Sequence, residues 1–141
     1  EVYLEVGKIS KRDLWIAGIA LYWAEGYKKG TGEFGFTNSD PQMVKFILKW
    51  LIYTCNIPED KISLRICINS LHKYRITEIS NFWLKTTQVP FAQFTKPTYI
   101  DVKNKKTYKN PSEYFGTIRI KVKKSTNFKR KILGWIQGLY R

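Results

Sequence analysis

The chain is poor in soft metal ligands, in acid and in long apolar runs. One histidine, His72, and two cysteines, Cys55 and Cys67, are all that 141 residues supply. Zinc sites gather several Cys and His ligands together, which argues against a zinc finger or an HNH-type nuclease. Each cysteine lies in apolar sequence with no Cys or His beside it. Both read as small buried side chains in a reducing compartment. Glycine-rich phosphate loops are missing too. No apolar run reaches the roughly 18 residues that a spanning helix needs, and no secretory leader is visible. The expected location is intracellular (cytoplasm, nucleoid or organelle matrix), not secreted and with no membrane partner. The chain begins at Glu1 rather than Met, so the reading leaves open a segment upstream.

Acid is the most telling shortage. Eleven Asp and Glu stand against 25 Lys and Arg, for a formal charge of +14. So much self-repulsion adds nothing to the stability of a small domain and points to a polyanionic partner. Nucleic acid is the first candidate and an anionic membrane surface the second. Hydrophobic residues make up 43% and aromatic residues 16%. That is a folding composition, unlike a disordered basic tail. The length suits one domain.

Residues 1–12 read as a leader or linker and 13–141 as a single domain. Asp13 is the expected cap of a helix running through Leu14 to about Glu25, apolar on nearly every side and therefore buried. Tyr27 to Gly32 is a basic turn with Lys28 and Lys29. Glu33 to Asn38 reads as a short strand. Asp40-Pro41 starts a second helix through Met43, Val44, Phe46, Ile47, Trp50 and Leu51. Ile62 to Asn69 alternates cleanly: Ile62, Leu64, Ile66 and Ile68 on one face, Ser63, Arg65, Cys67 and Asn69 on the other. A third helix covers 75–87. A strand is expected over 94–102, weakened by Pro97. Lys103 to Pro111 is a loop carrying Lys103, Lys105, Lys106 and Lys109. Tyr114 to Lys123 is a strand and the last helix starts near Ser125. The order is α-β-α-β-α-β-β-α, a mixed α/β (α+β) layer without internal repeat.

Glu25 is the first candidate for chemistry. A carboxylate at the C-terminal end of an apolar helix is disfavoured by the helix dipole. It calls for a cation, either Lys28 and Lys29 or a metal such as Mg²⁺. Gly18, Ala20 and Ala24 are small residues that let two helices approach closely. With Leu21 they form the candidate dimer interface. Two such helices crossing would bring two Glu25 side chains together. Arg119, Lys121 and Lys123 alternate along one face of the last strand, and Arg65 and Asn69 do so on the strand at 62–69. A sheet with one apolar and one basic face suits a DNA major groove. Lys28, Lys29, Lys103, Lys105 and Lys106 join them as candidate DNA contacts.

Ile19-Ala20-Leu21-Tyr22-Trp23-Ala24-Glu25-Gly26 resembles the LAGLIDADG motif, with Ala-Glu-Gly in place of the terminal Ala-Asp-Gly. Glu33 to Asp40, Tyr114 to Ile120 and Lys129 to Ile136 are similar to later segments of that homing-endonuclease family. The resemblance covers roughly residues 12–139. It implies the family's fold, with an antiparallel DNA-binding sheet backed by helices. It implies a homodimer that cuts a pseudo-palindromic duplex site by metal-dependent phosphodiester hydrolysis. It makes Glu25 the catalytic, Mg²⁺-binding acid and Lys123, or failing it Lys121, the basic residue near the scissile phosphate. Trp23 in place of the motif's first acid, and Ala20 in place of its glycine, depart from the pattern. Two other readings stay open: a nuclease-dead DNA-binding regulator, and an RNA-binding intron splicing factor.

Overall fold

Ser10, not Asp13, starts the first helix. In the computed structural model, which describes residues 1–29, 32–101 and 110–141, helix α1 spans Lys11–Glu25. The Ser10 hydroxyl accepts from the Asp13 amide at 3.0 Å, and the Asp13 carboxylate accepts from the Ser10 amide at 2.8 Å. This reciprocal capping box satisfies two donors at once. Those hydrogen bonds hold the Asp13 carboxyl below its ordinary range. The first 12 residues are therefore not all leader. A 3-10 turn at Val2–Val6 stands exposed, and residues 11 and 12 belong to α1.

Strand β1 follows at Gly35–Asn38. Asp40 then accepts from the Gln42 amide at 2.9 Å and caps α2, Pro41–Lys49, which runs on into a π-helical turn at Trp50–Thr54. Strand β2 is Ile62–Asn69 and helix α3 is Ile76–Thr87, with a 3-10 helix Ser70–Arg75 between them. Strands β3, Thr98–Ile100, and β4, Thr117–Val122, precede α4, Thr126–Tyr140. The element order is the expected one.

The sheet order is β1-β4-β2-β3. Strand β4 runs antiparallel to both β1 and β2, but β2 and β3 are parallel. The sheet is mixed, where an antiparallel one was expected. The cause is α3: a helical crossover between consecutive strands returns the chain in the same direction. Strand β3 is also shorter than expected. Phe94 only bridges Leu64, and Pro97, which has no amide hydrogen to offer a ladder, separates that bridge from the strand.

Alternation decides which face is buried. Ile62, Leu64, Ile66 and Ile68 of β2 and Ile118, Ile120 and Val122 of β4 point inward. They meet Ile19 and Tyr22 of α1, Val44 and Ile47 of α2, Ile79 and Trp83 of α3, and Ile132 and Ile136 of α4 in one core. The result is a two-layer α+β domain with helices on one face of the sheet. Among the described residues no helix is long and apolar enough to cross a membrane.

Candidate nucleic-acid interface

The face of the sheet turned away from the helices carries the residues left over by that alternation. In register across it, Thr37 pairs with Arg119 and Arg119 with Arg65. One step along, Gly35 pairs with Lys121 and Lys121 with Ser63. None of the paired residues pointing to this face is acidic. Like charges directly opposite on antiparallel strands repel, so the Arg65–Arg119 pair opposes folding on its own. Each guanidinium is braced by a neutral neighbour. The Arg65 Nε donates to the Thr95 hydroxyl at 3.0 Å. The Arg119 guanidinium lies 5.1 Å from the centre of the Tyr27 ring, and its Nε is buried without an acceptor. Ser63, Arg65, Thr95, Arg119 and Lys121 surround a shallow hollow of about 50 Å³.

Glu25 sits at the β1 edge of the same sheet. It is the last residue of α1, and the next residue, Gly26, bridges Phe36 of β1. Its carboxylate is exposed and takes part in no ion pair among the described residues, where Arg75–Glu78 is the one present. The expected neighbour Lys28 is otherwise engaged. Its ammonium donates to the carbonyls of Trp23, at 2.8 Å, and Gly26, at 3.0 Å. It thereby caps the negative end of α1. Lys29 is exposed, and its backbone carbonyl accepts from buried Lys129 at 3.3 Å.

Lys121 stands exposed on β4, whereas Lys123 lies one residue beyond its end, in the turn toward α4, with its amide bonded to the Lys61 carbonyl at 2.9 Å. Asn69 does not reach solvent. It is 4% exposed, and its side-chain oxygen accepts from the Leu71 amide at 3.0 Å, capping the 3-10 helix. An Asn at a strand end competes for the backbone in this way, and that ends the alternation one residue early. Lys103, Lys105 and Lys106 lie outside the described residues.

Helix α1 is only half buried. Gly18, Ile19 and Tyr22 face inward, while Leu14, Ala17, Ala20, Trp23 and Ala24 are exposed and Leu21 is half-buried. Gly18, expected at a chain–chain contact, instead lies against Trp50, whose indole a side chain at position 18 would overlap. The open stripe is Ala17, Ala20, Leu21 and Ala24, and its three-and-four spacing was there to be read.

Glu25 offers an exposed carboxylate at the edge of this face. Among the described residues no three His, Cys, Asp or Glu side chains converge on a common point. An exposed oxygen ligand free of any ion pair suits Mg²⁺, which takes one or two carboxylates together with phosphate and water. Burial acts on two other ionisable groups. Burial pushes the Cys55 thiol up to about 12. Burial, and then the Arg75 charge beside it, push His72 below its ordinary value. Sequence reasoning missed Tyr27, Thr37 and Thr95, because only the tertiary fold brings their partners to them.

Comparison with protein-family models, with curated proteins and with solved structures returns no match.

Proposed function

We propose that this domain is a site-specific duplex-DNA endonuclease of the LAGLIDADG type, active as a homodimer. The observation that carries the reading is the open sheet face. Arg65, Arg119 and Lys121 share it with no acid paired to them across the strands, and Glu25 stands at its edge outside any ion pair among the described residues. Such a face repels itself until a polyanion arrives. Arginine forks suit base edges, and lysine suits phosphate. Two chains joined along the open stripe of α1 would present a double-length face and two Glu25 carboxylates. Those carboxylates would hold Mg²⁺, which supplies Lewis acidity and an activated water for phosphodiester hydrolysis. Lys121 and Lys123 would offset charge on the reacting phosphate.

The test is cleavage of a randomised duplex library in Mg²⁺, with the ends sequenced and Glu25→Gln run in parallel. Discrete pseudo-palindromic cuts that vanish in the variant are expected, with duplex binding retained. Selective binding without cutting by either protein would replace the endonuclease by a DNA-binding regulator. Preference for structured RNA over duplex at equal salt would favour the splicing reading.

A further inference from the structure

Tyr27 is clamped at both ends. Its amide donates to the Gly35 carbonyl at 2.9 Å, and its own carbonyl accepts from the Tyr22 hydroxyl. Its phenol is hydrogen-bonded to the Thr37 hydroxyl. Its ring lies on the bare Cα of Gly35, where any Cβ would collide with it. Over that ring lies Arg119, its guanidinium carbon 5.1 Å from the ring centre. Arg119 makes no ion pair among the described residues, and its buried Nε has no acceptor.

An arginine so held has surrendered rotamer freedom before any ligand arrives, which lowers the cost of ordering it on binding. Its planar fork matches two adjacent acceptors in one plane. Guanine presents such a pair, O6 and N7, in the major groove. Phosphate also accepts a fork, but that work falls to side chains with reach, and exposed Lys121 stands beside Arg119 on the same strand. We infer that Tyr27 is a specificity-determining positioning residue, holding Arg119 for bidentate recognition of a guanine edge in duplex DNA. The inference rests on the reading of this sheet as a duplex-DNA interface.

The experiment selects binders from a randomised duplex pool at one stated salt concentration. It uses the wild type, Arg119→Gln, Tyr27→Phe, Tyr27→Leu and Gly35→Ala, with thermal unfolding of each alongside. The wild type is expected to select guanine at one position per half-site, and Arg119→Gln to lose it. Tyr27→Phe keeps the ring and keeps the preference. Tyr27→Leu and Gly35→Ala, which removes the ring's seat, relax discrimination at that position roughly 5- to 100-fold. In Tyr27→Leu and Gly35→Ala, which keep every charge, affinity for a scrambled duplex stays at the wild-type level. If Tyr27→Leu does not fold, Gly35→Ala carries the test alone. A folded Tyr27→Leu with intact guanine preference would overturn the inference. So would an equal loss on every sequence with a shallower salt slope, which would make Arg119 a phosphate clamp. A wild type that retains no duplex at all overturns the interface reading itself, a result distinct from either.

Discussion

At Gly18 the backbone of α1 lies against the Trp50 indole, and a methyl group there has no space. Glycine inside a helix is ordinarily a weakness, worth about 1 kcal/mol against alanine. Here the packing term opposes the propensity term. The indole cannot easily retreat, since its Nε1 donates to the Trp15 carbonyl at 3.2 Å and the ring is 3% exposed. Overpacking of a tight core costs about 1–3 kcal/mol. Gly18→Ala should therefore destabilise, with the urea midpoint falling and the m-value unchanged. A gain in stability would mean that the ring swings aside. Nothing in the local sequence distinguishes this glycine from Ala20, two residues on, which is exposed. The partner of Gly18 lies on another helix, so only tertiary structure separates a packing glycine from a free small residue. Asn69 makes the same point. Strand alternation assigns it to the open face, and its competing role as a cap withdraws it.

Elements with one buried face were legible, and elements shaped by connection were not. Strand β2 alternates because helices cover one side of it, so its apolar period reports burial directly. The direction of β3 has no such signature; it follows from the α3 crossover. Helix α1 misled in another way. Its apolar residues surround the axis, which predicts burial on every side, yet Leu14 is 37% exposed and Trp23 43%. The remaining cover is what the proposed dimer supplies. A charge placed in the open stripe discriminates. Ala20→Glu changes an exposed residue, so thermal unfolding of the single chain should hardly move. The same change would put two carboxylates against each other at a two-fold contact. Sedimentation should find a dimer for the wild type at micromolar concentration and a monomer for the variant. A wild-type monomer would mean that α1 pairs only on DNA, while a dimeric variant would move the interface elsewhere.

The whole molecule carries +14, and its stability and its binding should respond oppositely to salt. Folding brings cations together, as at Arg65 and Arg119, which face each other across β2 and β4. Little within the fold offsets this, since Arg75–Glu78 is the one ion pair among the described residues. Screening over the Debye length of roughly 10 Å at 0.1 M relieves repulsion between charges further apart than that. Added NaCl should therefore raise the melting temperature, where a protein rich in surface ion pairs would lose stability. DNA affinity should move the other way, because counterions released from phosphate must be recaptured. With about six phosphates neutralised, the loss between 50 and 200 mM salt is about a thousandfold. Thermal melts and duplex titrations across one salt series measure both. Stability that falls with salt would mean that ion pairs balance the positive charge inside the fold, and a duplex affinity indifferent to salt would mean that the open face is an ordinary solvated surface. Opposite trends would mean that the charge serves a polyanion at some expense to the fold.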